Sequence, residues 1–125
     1  MHVAYVLSGS VQKTLKALRS GRPLPPQYMH IKLWQLGDYV LTFLSGEIFS
    51  ATGARLRELS QKRTVLPVSC LAPLLGYLPD RKAIGQGGYE VEDAWRFYGH
   101  PAPFASDSEE RVVAEVHRLL TQMGD

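Results

Sequence analysis

The residues best suited to chemistry lie in turns that follow strand-like runs. Glu47 stands in a Ser-Gly-Glu turn directly after an apolar run, and Tyr77 stands in a Gly-Tyr-Leu-Pro loop after another. Tyr89 follows twelve residues beyond Tyr77, in a Gly-Gly-Tyr-Glu run. A carboxylate can bind a metal ion, and a phenol can donate a hydrogen bond or, once deprotonated, bind a metal. Because sites of α/β folds gather at the carboxyl ends of strands, we expect Glu47 and Tyr77 to approach each other at one end of the sheet.

Each of these residues also has a plainer interpretation. An acidic residue in the first turn of a helix complements the helix dipole, which would account for Glu47. A tyrosine with its ring buried and its hydroxyl in water would account for Tyr77 and for Tyr89. Cys70, the single cysteine, lies in an apolar run and is expected to be a small buried hydrophobe rather than a nucleophile.

The elements that must position these residues alternate between helix and strand. Gly37-Asp38 separates two strand-like runs and signals a β-hairpin. Strands interleaved with helices predict a layered α/β fold, in which a mixed β-sheet with a hairpin is covered by helices. In chain order, periodicity predicts a helix over Ser10–Arg19, strands over Tyr28–Leu36 and Tyr39–Leu44, and a helix over Ile48–Ser60. A strand over Val65–Leu71 follows, and then an irregular aromatic segment over 73–103 with one helical turn at Asp80–Ile84. A final helix ends the chain of predicted elements.

Three of these segments carry finer expectations. The strand Tyr39–Leu44 is apolar almost throughout, so we expect it to be covered on both faces. Pro67 indicates that its strand lies at an edge of the sheet or contains a bulge. Ser106 and Glu109 have the spacing of a capping box, and an apolar stripe follows them along the final helix.

Composition limits the class of protein. The 125 residues are 45% hydrophobic and 21% charged, which predicts a single globular domain over 1–125. One cysteine cannot form an internal disulfide or a thiolate cluster. No run reaches the ~20 apolar residues of a membrane helix, and no signal peptide is recognisable, so we expect a cytoplasmic protein without a transmembrane segment.

The basic residues are concentrated towards the start of the chain. Residues 1–65 contain nine Lys and Arg against three Asp and Glu, although the net charge of the whole chain is only +2. A segment with this excess of positive charge could attract an anion or a nucleic acid. The basic residues Lys13, Lys16, Arg19 and Arg22 have no aromatic residues interleaved for base stacking, and we therefore predict no nucleic-acid partner.

From about Tyr28 to Met123 the chain resembles the last part of the catalytic domain of the neutral/alkaline non-lysosomal ceramidases. These enzymes are zinc amidases that cleave the N-acyl bond of ceramide, a sphingolipid. The likeness rests on the order and spacing of Ser45-Gly46-Glu47, Gly76-Tyr77-Leu78-Pro79 and Gly87-Gly88-Tyr89-Glu90. The resemblance implies zinc as cofactor, Glu47 and Tyr77 as zinc ligands, Tyr89 as a substrate contact and a lipid amide as substrate.

The resemblance also has departures. Ser45 stands where the family has proline, and Ala72-Pro73-Leu74-Leu75 stands where the family has polar residues. The family's histidine ligands come from an upstream segment with no counterpart here. The four histidines of this chain, His2, His30, His100 and His117, form no pair at metal-binding spacing.

Two functions follow as expectations. In the first, the chain is a fragment of a ceramidase-like hydrolase that carries half of a zinc amidase site and is inactive alone. It would then associate as a homo-oligomer or with an upstream partner chain. In the second, the chain is a non-enzymatic binding or assembly module that kept the scaffold and lost the chemistry.

Overall fold

The structure, a computed structural model, describes residues 12, 15–21, 23 and 27–125. Five strands and five helices follow one another within residues 27–125. In chain order they are β1 (Ile31–Leu36), β2 (Tyr39–Leu44), β3 (Glu47–Ile48), α1 (Ser50–Arg57), β4 (Thr64–Val68), β5 (Tyr77–Leu78), α2 (Arg81–Gln86), α3 (Tyr89–Glu92), α4 (Ala94–Phe97) and α5 (Ser108–Gln122).

The three longer strands form a mixed sheet in the order β1-β2-β4. β1 and β2 pair antiparallel across the turn at Gly37, whose φ of 59° is easily reached only by a residue without a side chain. β4 pairs parallel with β2, so that Val40 lies beside Val65. The predicted hairpin and the α/β fold with a mixed sheet are confirmed.

The core lies between one face of this sheet and the helices α1 and α5. Alternate residues of β2 are buried, and α5 packs against α1 and β1. The apolar stripe predicted for the final helix is confirmed, with buried residues recurring every fourth position. The buried core residues are Val40, Leu44, Leu56, Val65, Leu78, Val112, Val116 and Leu120.

The expectation that β2 is covered on both faces is wrong. Val40 and Leu44 are completely buried, whereas Tyr39 is 51% exposed on the opposite face. The predicted buried strand Val65–Leu71 is likewise buried only at Val65, and regular strand structure ends at Val68. The helices cover one face of the three-stranded sheet, so an unbroken apolar run here does not mean burial on both sides. Pro67 lies on the edge strand β4, as predicted.

The first predicted helix is described only in part, and the aromatic segment differs from its expected form. Of the helix predicted over Ser10–Arg19, Gln12 and residues 15–19 are helical, and the remaining positions lie outside the described residues. The segment 73–103 is more regular than expected, because it contains β5 and three short helices. The helical turn predicted at Asp80–Ile84 is present within α2, where Asp80 caps the helix by accepting a hydrogen bond from the Ala83 amide at 2.8 Å.

The predicted capping box at Ser106 and Glu109 is not formed. Helix α5 begins at Ser108 after Asp107, and no side chain caps it. The Glu109 carboxylate instead accepts hydrogen bonds from the Thr52 hydroxyl at 3.0 Å and from the Arg81 amide at 3.1 Å. It also pairs with Arg55 at 3.0 Å, and the Glu109 residue is only 3% exposed. Glu109 therefore binds partners that are distant in sequence instead of capping its own helix, and its carboxylate joins α1, α2 and α5.

Replacing Glu109 by alanine is expected to destabilise the fold strongly. The change leaves the Thr52 hydroxyl and the Arg81 amide without their acceptor, and breaking such a buried pair costs about 3 kcal/mol. Urea unfolding followed by circular dichroism measures the free energy of unfolding. Glu110→Ala is the matched control, since Glu110 bonds the same arginine from an exposed position and should cost much less. Equal losses for the two variants would contradict the role assigned to Glu109.

Candidate functional site

Glu47 and Tyr77 lie directly opposite each other on two short parallel strands. β3 and β5 form a two-stranded sheet in which Glu47 pairs with Tyr77 and Ile48 with Leu78. The Glu47 amide donates a hydrogen bond to the carbonyl of Gly76 at 2.8 Å. Neighbouring strands lie about 4.8 Å apart, so the two side chains leave adjacent points of the backbone. The predicted approach of Glu47 and Tyr77 is confirmed, but it occurs in a separate two-stranded sheet and not at one end of the three-stranded sheet.

Both side chains point away from the hydrophobic core. Leu78 belongs to the buried core, and Ile48 packs against it. Successive residues of a strand face opposite sides, so Glu47 and Tyr77 face outwards, and both are partly exposed. The pair is therefore accessible while its backbone is held by buried neighbours.

The plainer interpretation of Glu47, as an acid in the first turn of a helix, is wrong. Helix α1 begins at Ser50, and its first turn contains no acidic residue. Glu47 belongs to β3 instead, where its backbone is committed to β5. Its carboxylate is therefore free of any helix-capping role.

Tyrosine rings surround Tyr77 on two sides. The centroid of its ring lies 6.3 Å from that of Tyr89 and 6.2 Å from that of Tyr98, both in edge-to-face geometry. Tyr89 in turn lies 6.1 Å from Phe97. The three residues singled out in the sequence, Glu47, Tyr77 and Tyr89, thus occupy one site. Edge-to-face contacts of this kind hold the phenols at fixed positions around Glu47.

Tyr98 is a member of this site that the sequence did not reveal. It lies at the end of α4, within an aromatic run that includes Trp95 and Phe97. Its contact with the site depends on Gly76, where a Cβ atom would come within 2.8 Å of the Tyr98 ring. The aromatic run was visible in the sequence, but its packing on a backbone 22 residues earlier was not.

Negative charge and burial both raise the pKa values of phenols in the site. The carboxylate of Glu47, and after it burial, raise the pKa of the Tyr77 phenol above its ordinary value. Burial raises the pKa of Tyr98, and Glu47 adds to that shift. A cation bound beside Glu47 would oppose these effects, because it favours the ionised phenol. The electrostatics are therefore those of a site suited to a positive charge.

The donor set by itself fits half of a metal site. Glu47 and Tyr77 supply two oxygen atoms, whereas a catalytic zinc normally takes three protein ligands and keeps one position open. Among the described residues, no three His, Cys, Asp or Glu side chains gather closely enough to hold a metal ion. A zinc ion bound by Glu47 and Tyr77 would therefore need at least one more protein ligand from outside this pair.

The histidines do not supply those donors within the described chain. The buried His100 shares its Nε2 with the carbonyl of Leu75, and its ring packs edge-on against Phe104. His30 and His117 are exposed, and no contact joins them to Glu47 or Tyr77. His2 lies outside the described residues. His100 is therefore a histidine whose ring is held by its structural contacts.

Cys70 does not behave as the buried hydrophobe that was expected. It is exposed, and its φ of 63° places it beyond the end of β4 in a left-handed conformation. Its amide donates to the carbonyl of Gly46, beside Glu47, at 3.2 Å. The strand ended earlier than the apolar run indicated, which turned the thiol outwards.

No protein-family model, curated protein or solved structure matches the chain. Within the described part of the chain, every helix is too short or too polar to cross a membrane. The interpretation of the site therefore depends on its own geometry and electrostatics.

Gly76→Ala is expected to disrupt the site without unfolding the protein. Gly76 has a φ of 115°, and its added methyl group would clash with the ring of Tyr98. Such strain costs about 2 kcal/mol and should displace Tyr98 from Tyr77. Near-ultraviolet circular dichroism reports the tyrosine environment, and urea unfolding reports stability.

Gly85→Ala serves as the control for this substitution. Gly85 lies in α2 with open space where its Cβ would stand, so alanine there should be neutral or stabilising. An unchanged tyrosine spectrum in Gly76→Ala, together with wild-type stability, would show that Tyr98 does not rest on Gly76.

Proposed function

We propose that the chain carries half of a zinc amidase site of the ceramidase type and is inactive alone. In this proposal Glu47 and Tyr77 bind zinc, Tyr89 contacts a lipid amide substrate, and another segment or chain supplies the remaining ligands. The observation that supports it is the register of β3 and β5, which sets Glu47 directly beside Tyr77. Two residues thirty positions apart, each suited to bind a metal, meet on an outward face.

The roles follow from the chemistry of each group. Glu47 supplies the anionic oxygen that attracts the cation, and its charge raises the pKa of the neighbouring Tyr77 phenol. Tyr89 lies half exposed at the outer side of the pair, where a substrate would approach. Zinc, when bound, would polarise the amide carbonyl and acidify a water molecule.

Zinc is expected to ionise Tyr77. Adding excess Zn²⁺ at neutral pH should produce tyrosinate absorbance, because direct coordination of the phenol oxygen to the cation favours its deprotonated form. Tyr77→Phe should remove that signal. Glu47→Gln should lower the zinc affinity about tenfold, because the loss of one charged ligand costs on the order of 1.4 kcal/mol. Ultraviolet difference spectroscopy during a zinc titration measures both.

Two comparisons make this test specific. Tyr28→Phe is the matched control, because Tyr28 is 71% exposed and belongs to no part of the site. Mg²⁺ should give no tyrosinate, since it dehydrates reluctantly and prefers six oxygen ligands. A zinc-induced signal that persists in Tyr77→Phe would contradict the assignment, as would its absence from the wild-type protein.

A second candidate function is that of a binding or assembly module without chemistry. It is favoured by the face of the three-stranded sheet that the helices leave uncovered. Leu36 is 72% exposed, Trp34 is 65% exposed, and Tyr39 and Leu66 lie beside them. The registers of the strands place all four on the same side, with Phe43 packed against Trp34 at 5.0 Å between ring centroids. We call these five residues the apolar sheet face.

The apolar sheet face would support a homo-oligomer in either function. Apolar patches larger than a few hundred Å² usually contact a partner, and two exposed aromatic rings with two exposed leucines form a patch of that kind. A second copy of this chain offers an equally apolar face, and twofold pairing is the commonest form of association. We therefore propose a dimer formed by two such faces.

Leu36→Lys is expected to convert that dimer into monomers. A lysine buried within an apolar contact must lose its hydration, which costs several kcal/mol per copy. Light scattering at micromolar concentration should give twice the chain mass of 14.0 kDa for the wild-type protein and the monomer mass for the variant. Leu74→Lys is the control, because Leu74 is exposed in the loop after β4 and lies outside the apolar sheet face. A wild-type protein that scatters as a monomer would refute the proposed dimer.

A further inference from the structure

A groove of about 570 Å³ lies between the start of β1, the segment 100–105 and helix α5. Its volume falls within the roughly 300–1,000 Å³ of small-molecule sites, and such sites are mostly apolar with a few polar groups. The side chains of its apolar wall are those of Met29, Ile31, Leu75, Leu78, Phe104 and Val112. This wall offers a surface for a hydrocarbon chain.

The segment on one side of the groove is held in place before any ligand arrives. His100 is buried, shares its Nε2 with the Leu75 carbonyl, and packs edge-on against Phe104 at 5.2 Å between ring centroids. Pro101 and Pro103 restrict the backbone on either side of Ala102. A preformed wall lowers the entropy that binding must overcome.

Two charged residues of α5 border the groove, and only one of them is neutralised. The Glu115 carboxylate receives two hydrogen bonds from Arg118, at 2.8 Å and 2.6 Å, which lower the pKa of Glu115 and keep it ionised and paired. Arg111 has no carboxylate within 4.0 Å among the described residues. The groove is thus apolar along its wall and carries one uncompensated positive charge.

We propose that this groove binds a single-chain amphiphile that carries one carboxylate. Its alkyl chain would lie along the apolar wall, and its carboxylate would accept two parallel hydrogen bonds from the Arg111 guanidinium. A neutral alkyl chain would leave Arg111 unpaired beside an apolar surface, and a cationic one would be repelled. The charge of the groove therefore selects for an anionic head group.

This site is independent of the Glu47–Tyr77 pair. Leu78 lines the groove and Tyr77 faces the other way, because adjacent residues of β5 point to opposite sides. Binding in the groove requires no metal ion and no second chain. The failure of the proposed zinc site would leave this proposal standing, and the reverse is equally true.

Calorimetric titration of the full chain with dodecanoate and with dodecanol tests the proposal. Dodecanoate should bind saturably, with one molecule per chain, and dodecanol should bind about tenfold more weakly because it cannot pair with Arg111. Arg111→Gln should weaken dodecanoate binding by about tenfold and leave dodecanol binding unchanged. Ala105→Trp, which fills the groove from an exposed position, should weaken the binding of both.

Lys82→Gln is the matched control for the loss of one positive charge. Lys82 is exposed in α2 and does not line the groove, so this variant should bind dodecanoate as the wild-type protein does. Equal affinity for dodecanoate and dodecanol in the wild-type protein would overturn the proposal. So would the absence of saturable binding, an equal effect of Arg111→Gln and Lys82→Gln, or wild-type affinities in Ala105→Trp.

Discussion

The buried carboxylate of Glu109 joins parts of the chain that no strand or helix connects. It accepts hydrogen bonds from Thr52 on α1 and from the amide that begins α2, and it pairs with Arg55. Arg55 also forms two hydrogen bonds with Glu110, which raise the pKa of the guanidinium. An ion buried without partners would cost several kcal/mol, so this arrangement tolerates few alternatives. The buried Glu109 group therefore constrains the geometry of the fold more than it adds to the free energy of unfolding.

The candidate site depends on that constraint because its own strands are very short. β3 and β5 contain two residues each, and a pair of such strands has little stability by itself. Leu78 is anchored in the core, and three residues later the Arg81 amide is anchored to Glu109. These two attachments fix the path of β5 on either side of Pro79. The register that sets Tyr77 beside Glu47 is therefore imposed from outside the two strands.

The sequence predicted those features that arise from local patterns. The hairpin at Gly37, the stripe along α5 and the approach of Glu47 to Tyr77 follow from periodicity, turn chemistry and the tendency of strand ends to meet at one edge. Two-residue strands have no period to recognise, so β3 and β5 were not foreseen. Glu109 has the spacing of a local cap, but its partner Thr52 is 57 residues away, and only the tertiary fold decides between such choices. The covering of β2 likewise depends on whether helices pack on one face of the sheet or on both. The apolar composition of a strand does not reveal that number.

The apolar sheet face and the Glu47–Tyr77 pair both point away from the same core. The apolar sheet face lies on the side of β2 opposite Val40 and Leu44, and Glu47 and Tyr77 lie on the sides of β3 and β5 opposite Ile48 and Leu78. Within the apolar sheet face, Phe43 lies one residue before the end of β2, so a polypeptide that covers Phe43 would also approach the start of β3. Exclusion of water there would strengthen every interaction of the Glu47 carboxylate, because the local dielectric falls. In the proposed function, association would therefore favour metal binding, because the partner that buries the apolar sheet face would also lower the dielectric around Glu47.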